Sequence, residues 1–375
     1  FGGGQKSHFA RAYFKKRGLR AIPICMGCSN NDPDHDIQTL FEELPIKTGP
    51  ISFEEVETAS KQLKRNKAPG ADGITNEALK TEKILRFLPS LFNDIMDTGK
   101  APDEFLISKI ILVPKKGDLT QFTNYRGIAL MSSAAKLYNK VLLNRILPYI
   151  DEKLRPTQFG FRKGRSTMEP LFIVRRLIEE VRIKKDAKLV LTFIDFKKAF
   201  DSVNRNVMFR ILEAYGIPAK IVRAIKAMYI NTKAFIDTPD GKTPEFEVKA
   251  GVLQGDTLAP LLFIIVMDYV LRKTEDRVGH LGFRIQRRLS SRCPEQRLSD
   301  LAFADDVSLT SESVEDAQEI LFALEDEASL VGLLISPQKT EYMTIGIDNP
   351  STLELKSGPI KRVDDFRYLG SCAGQ

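Results

Sequence analysis

The chain has 375 residues, of which 43% are hydrophobic, and it carries a formal net charge of +7 and four cysteines. That is enough apolar material for two or three subdomains around buried cores, which excludes a chain disordered throughout. Four cysteines in so long a chain exclude a disulfide scaffold and point to a reducing compartment. The apolar run from Leu261 to Met267 stops at Asp268, far short of the roughly 20 residues a membrane helix needs, so no membrane partner is expected.

Residues 1–51 show little periodicity and contain the polar run Ser29–Asp36, so they read as a partly disordered lead-in or linker. Cys25 and Cys28 form a CxxC, but zinc needs a second pair; Cys293 and Cys372 stand alone, and the plain reading is ordinary thiols. Order is predicted to begin at Ser52, which with Glu55 makes a capping box ahead of Val56, Ala59 and Leu63 at helical spacing. Ala68–Gly73 reads as a turn, residues 82–97 as a helix ended by Gly99, and Ile107–Val113 as a strand stopped by Pro114. Leu137, Val141 and Ile146 mark a helix that also carries Lys136, Lys140 and Arg145, and Leu171, Val174, Ile178 and Val181 mark another.

Leu189–Asp195 has the mostly apolar character of a buried strand. Helices follow around 207–215 and 218–229. Then Phe235-Ile236 and Phe246–Val248 flank Pro239-Asp240-Gly241 as a hairpin. A mostly apolar helix is predicted over 257–272, a strand–turn–strand over 301–309 with Asp305-Asp306 at its tip, a helix from Val314 to Val331 capped at Gly332, and strands at 342–347 and 366–370. Strands and helices alternating from about residue 188 argue for an α+β layer structure. The Phe start and the strand close to the end suggest a piece of a longer protein.

Basic residues cluster at 6–20, 155–165 and 284–297, the last holding five arginines and one acid. Each cluster fits either a solvated face or a polyanion-binding surface.

The carboxylates carry the chemistry. An Asp-Asp pair is common, and a solvated turn is its plain explanation. Here Leu301, Phe303, Val307 and Leu309 should bury the hairpin on at least one face. Two carboxylates about 4 Å apart repel by roughly 4 kcal/mol at an effective dielectric of about 20, which a divalent cation relieves. Oxygen-only ligands suit Mg²⁺. Two ions would need a third carboxylate from another strand, and Asp195 is the candidate.

The motifs then make a resemblance specific. Ile194-Asp-Phe-Lys-Lys-Ala-Phe-Asp201 resembles motif A of reverse transcriptases, Gly251–Phe263 (GVLQGDTLAPLLF) motif B, and Phe303-Ala-Asp-Asp306 the family's (Y/F)xDD motif C. Leu112–Asp118, Asn124–Ile128, Gln158–Ser166, Pro337–Thr340 (motif D) and Tyr368–Gly370 (motif E) extend the likeness, in the family's order, over roughly residues 60–370. The flavour is that of non-LTR, LINE-type retrotransposon polymerases.

This resemblance implies a right-hand polymerase fold: fingers over 52–187, a palm over 188–350 with an antiparallel sheet backed by helices, the start of a palm–thumb hairpin over 351–375, and no thumb. It implies RNA-directed DNA synthesis by two Mg²⁺ ions, with Mn²⁺ as an alternative, on an RNA template and DNA primer with dNTPs, beside an endonuclease domain outside this chain. Asp195 and Asp305 match the metal ligands, and Asp306 the weaker third; Asp201 matches no ligand. Lys339 matches the motif D lysine, a proton donor to pyrophosphate or an exposed side chain. Phe200 matches the steric gate against a 2′-hydroxyl. Lys115, Arg126, Gln254 and Gly255 match dNTP-binding positions, although Lys116 competes with Lys115. Arg162, Lys163 and Arg165 match a loop that touches template or primer phosphates. Ala259 replaces a frequent Ser, and Gly127 a frequent Pro. Two other readings stay open: an inactive or domesticated remnant that only binds nucleic acid, and an RNA-dependent RNA polymerase, against which Phe200 speaks.

Overall fold

The computed structural model describes residues 37–373, apart from 115–117, 119–123, 185, 239, 240, 254, 289 and 291 and the side chains of Arg126, Cys372 and Ala373. Cys25, Cys28, Lys115, Lys116, Gln254 and the expected turn at Pro239-Asp240 lie outside the described residues. In chain order the helices are α1 (Phe53–Gln62), α2 (Glu82–Thr98), α3 (Asp103–Leu106), α4 (Ser133–Ile150), α5 (Met168–Ile183), α6 (Ala199–Ser202), α7 (Arg205–Ala214), α8 (Ala219–Ala227), α9 (Ala259–Val278) and α10 (Val314–Leu330). The strands are β1 (Ile107–Pro114), β2 (Tyr125–Leu130), β3 (Leu189–Ile194), β4 (Lys233–Thr238), β5 (Gly241–Lys242), β6 (Phe246–Glu247), β7 (Phe283–Gln286) and β8 (Gln296–Leu298). They continue as β9 (Asp300–Phe303), β10 (Asp306–Ser311), β11 (Glu341–Ile345), β12 (Glu354–Leu355), β13 (Gly358–Pro359), β14 (Lys361–Arg362), β15 (Phe366–Tyr368) and β16 (Ser371–Ala373). The chain folds as two compact units, one built from Ile37–Ile150 and Leu212–Pro260, the other from Asp151–Ile211 and Leu261–Gln375.

In the first unit α1 opens on the predicted capping box. The Ser52 hydroxyl accepts from the Glu55 N–H, and the Glu55 carboxylate accepts from the Ser52 N–H at 3.0 Å. Two orphan donors of the helix start are satisfied at once. Glu55 also accepts from Arg145, so this basic residue of α4 turns inward (6% exposed). Gly99 ends α2 in the left-handed conformation that costs glycine least. The sheet runs β2-β1-β4-β5, with β6 also paired to β4; β1 lies parallel to β4 and antiparallel to β2. Strand β2 is absent from the sequence prediction because Gly127 interrupts its apolar pattern.

The second unit is built on a sheet in the order β14-β11-β3-β10-β9, antiparallel except for β11 with β14. All six residues of β3 are buried, which is why its sequence is apolar except at Thr192 rather than alternating. Helices α5 and α10 both pack on this sheet. Leu171, Val174, Leu177, Ile178 and Val181 of α5 meet Leu189, Leu191, Phe193, Leu301 and Met343 in one core. Each large apolar side chain fully buried there contributes about 1.5–3 kcal/mol. The ring of Phe366 stacks on Phe193 at 3.9 Å, and β15 pairs with β16 in a short hairpin. The basic segment at 284–297 forms the β7–β8 hairpin, where Arg297 pairs with Glu295 at 2.6 Å and Glu312 at 3.5 Å. Helix α9 continues to Val278, beyond the expected Arg272.

Candidate active site

Strand β3 ends at Ile194 and delivers Asp195 just past its last residue. Its antiparallel neighbour β10 begins at Asp306, with Val307 paired to Ile194. The next rung of the same register sets Asp306 beside Asp195. Asp306 in turn pairs with Phe303 of β9, leaving Ala304 and Asp305 as a two-residue hairpin turn. The register of one sheet thus brings Asp195 beside the Asp305-Asp306 pair, more than a hundred positions away in sequence.

Asp195 is held by the segment ahead of β11. Its N–H donates to the Thr340 hydroxyl at 3.2 Å, its carbonyl accepts from Ser336 N–H at 2.8 Å, and Lys339 Nζ lies 3.3 Å from its carboxylate. Lys197 N–H donates to the Leu334 carbonyl at 2.8 Å, and Phe196 bridges to Ile335. Residues 334–340 therefore brace the end of β3, a role for Thr340 that the sequence alone does not signal.

Asp306 stands at the open start of β10, yet its carboxyl is pushed up to about 6. Crowding by protein atoms is the largest cause, followed by the charges of Asp305 and then Asp195. This is negative charge concentrated on hard oxygen donors, with Lys339 beside Asp195, and it fits a divalent cation. Among the described residues no three acidic, His or Cys side chains converge as a ready-made cage. Mg²⁺ is a cation that takes one or two carboxylates and completes its shell with water and substrate phosphates.

Phe200 lies in α6, half-buried. Its ring stacks on Phe263 of α9 with centroids 4.3 Å apart, and Phe161 meets it edge-on at 6.2 Å. Phe161 is 53% exposed with φ +55°, a conformation rare for an aromatic residue. It was not among the sequence candidates; an aromatic residue inside a Gly- and Arg-rich loop is the signal that marks it.

In that loop Arg162 directs its guanidinium inward, to Asp151 at 2.8 Å and to the carbonyls of Asp151, Arg155 and Gln158. Arg165 pairs with Glu169 at 2.7 Å and its guanidinium lies over the Phe159 ring, while Lys163 is exposed. Asp195, Asp305, Asp306, Lys339, Phe200 and this loop all belong to the second unit. Arg126 and Gly255 belong to the first. Arg126 sits in β2 opposite Val113, and Gly255 has φ +107° with its Cα against the Ala129 carbonyl.

A family model described as "Reverse transcriptase (RNA-dependent DNA polymerase)" matches residues 113–372. The chain is 30% identical over 296 residues to a retrovirus-related Pol polyprotein from type-1 retrotransposable element R2 of Nasonia vitripennis, which covers 79% of this chain and 27% of the relative. A Pol polyprotein of the R2 element of Popillia japonica is 26% identical over 337 residues (87% of this chain, 45% of the relative). An RNA-directed DNA polymerase from mobile element jockey of Drosophila melanogaster is 25% identical over 344 residues (88% and 36%). The chain thus spans between about a quarter and about a half of these relatives' length.

Proposed function

Because the chain belongs to the reverse transcriptase (RNA-dependent DNA polymerase) family, among the non-LTR retrotransposon enzymes, we propose that it extends a DNA primer along an RNA template with Asp195, Asp305 and Asp306 as the catalytic carboxylates. The observation that carries this reading is the register between β3 and β10, which sets Asp306 next to Asp195 across a rung and Asp305 in the adjoining turn.

The right-hand polymerase fold of the family agrees with the helix-backed antiparallel sheet of the second unit. Reverse transcriptases work with divalent metal ions; here two Mg²⁺, or Mn²⁺, would be held by Asp195 and Asp305 with Asp306 assisting. When bound, such ions lower the pKa of a primer 3′-hydroxyl and neutralise charge on the phosphates. The chain's own part is positioning. Thr340 and Ser336 fix the direction of Asp195. Lys339 keeps a positive charge beside it, suited to a departing pyrophosphate. Phe200, backed by Phe263, closes the space a 2′-hydroxyl would need.

Lys115, Arg126, Gln254 and Gly255 are assigned to the incoming dNTP. Arg126 suits bidentate phosphate contacts. Phosphates of template or primer are assigned to the Arg162–Arg165 loop, where Lys163 and Arg165 are exposed. An endonuclease partner would lie in sequence outside this chain, in keeping with the greater length of the relatives.

The test is primer extension on an RNA template with Mg²⁺, comparing the full chain with Asp305→Asn. Extension by the first and at least a 10³-fold loss in the second is expected, of the order seen when electrostatic groups at a reacting centre are removed. Equal extension by both sinks the carboxylate mechanism. Tight template–primer binding without extension by either favours a remnant that only binds nucleic acid.

A further inference from the structure

We propose that Gln158 is a positioning residue for catalysis: its side chain clamps the turn that presents Asp305. This rests on reading Asp305 as catalytic.

The turn needs holding. Ala304 has φ +57°, while Asp305 is not in the left-handed region. A positive φ at only the first central residue is the type II′ pattern, where glycine normally stands. An alanine there is strained by about 1–2 kcal/mol and stays only if its surroundings impose it.

Residues 157–160 supply the constraint. This segment runs beside β9 through one isolated parallel bridge, Gln158 to Ala302. Ala302 N–H donates to the Thr157 carbonyl at 2.9 Å, and Phe159 N–H donates to the Ala302 carbonyl at 2.8 Å. The Gln158 side chain then reaches past β9 to the turn. Its Oε1 accepts from Ala304 N–H at 3.1 Å and from Gly160 N–H at 2.8 Å. Gln158 is only 1% exposed. Gly160 packs so closely that a Cβ on it would lie 2.3 Å from the Ala304 nitrogen. The clamp is itself anchored, because Arg162 donates to the Gln158 carbonyl at 3.0 Å and to Asp151 at 2.8 Å.

One detail separates this from ordinary core packing. The Gln158 Nε2 is buried and has no hydrogen-bond partner among the described residues. A polar group that is half unsatisfied costs stability, so the side chain is justified by its acceptor oxygen alone. That oxygen acts on the residue directly ahead of Asp305. Displacing a reacting group by about 1 Å costs up to roughly 100-fold in rate.

The experiment compares three variants of the full chain in steady-state primer extension. Gln158→Met keeps the shape and loses the acceptor. Gln158→Asn withdraws the acceptor by one methylene. Gln158→Glu keeps it. Met and Asn should each lower kcat by about 10- to 100-fold while KM for dNTP and the Kd for template–primer stay within about twofold. Glu should retain kcat within about fivefold, since burial beside other carboxylates favours its neutral acid, which keeps an acceptor oxygen toward Ala304 and Gly160. If Met does not fold, Asn reads the same contact. Wild-type kcat in Met or Asn overturns the proposal, as does an equal loss in all three or a loss confined to KM. Asp305→Asn is measured in parallel: if it kills extension and Gln158→Met does not, only the clamp fails, whereas an indifferent Asp305→Asn removes the catalytic reading itself.

Discussion

The ring of Phe200 lies face to face on that of Phe263, 14° from parallel, so the residue of α6 proposed as the gate is backed by a residue of α9 and cannot swing away in that direction. A rigid ring can exclude a hydroxyl; a loose one would yield. Phe200→Ala should therefore admit ribonucleotides, lowering the dNTP-to-rNTP preference in kcat/KM by roughly 10- to 200-fold, the scale of a steric pocket contact. Phe263→Ala should give a smaller loss in the same direction, because the ring stays but its support goes. Unchanged sugar choice in Phe200→Ala would remove the gate assignment and reopen the reading as an RNA-dependent RNA polymerase.

Glu55 connects the start of α1 to α4. Burial works to raise its carboxyl, but hydrogen bonds from Arg145, from the Ser52 backbone and from Lys47 outweigh it and hold it at about 2. A carboxyl depressed in the fold stabilises at pH above its unfolded value of about 4.5 and loses that contribution as pH falls toward about 2. Thermal unfolding of the wild type should thus show a falling midpoint between pH 5 and about pH 2. Glu55→Gln should have a lower midpoint at pH 7 and a flatter acid limb. Parallel limbs for the two proteins would mean that Glu55 does not carry the dependence.

The elements most legible in the sequence are those written in local patterns. The Ser52–Glu55 box starts a helix where it predicts one, and the mostly apolar run of Leu189–Ile194 is a strand buried throughout. The hairpin that carries Asp305-Asp306 is legible because apolar residues flank the pair on both sides. What escapes is whatever depends on a distant partner. The basic run at 155–165 reads as a free cationic face, yet Arg155 pairs with Asp300 and Glu275, and Arg162 with Asp151. These acids lie outside the window in which the cluster was counted. The link from Gln158 to Ala304 likewise joins residues 146 positions apart. The β7–β8 hairpin is hidden because its strands are only four and three residues long, too short for an alternating pattern to stand out from the surrounding arginines.

Gly255 supplies a conformational test in the first unit. It holds φ +107°, and a Cβ would lie 2.3 Å from the Ala129 backbone oxygen. Backbone cannot move aside as a flexible side chain would, so Gly255→Ala combines a strained φ with overpacking and should cost about 2–4 kcal/mol. Gly73 is the control, with φ +70° and nothing within 4 Å of the added methyl. Gly73→Ala should cost only about 1–2 kcal/mol. Chemical denaturation of both variants reads the difference; equal losses would show that the close approach to Ala129 is relieved at no cost.

Arg155 and Asp300 form the buried ion pair at the foot of β9, with side chains 5% and 3% exposed. The guanidinium meets Asp300 with two nitrogens, and its Nε donates to Glu275 at 3.0 Å. Asp268 accepts from the Arg155 N–H at 2.8 Å and pairs with Arg272. Removing one partner strands the other charge away from water, so Arg155→Met should destabilise by about 3–5 kcal/mol. Asp300→Leu should do likewise, because the guanidinium loses its best-buried counter-ion. Removing both leaves no charge orphaned between them. The double variant should therefore lose less than the sum of the singles, with a coupling of about 1–3 kcal/mol in urea unfolding. Because β9 leads directly into the Ala304-Asp305 turn, the singles should also lower kcat for primer extension, and the double variant should recover part of it. Strict additivity in both stability and kcat would show that the pair is not coupled and that β9 is held by its backbone ladder alone.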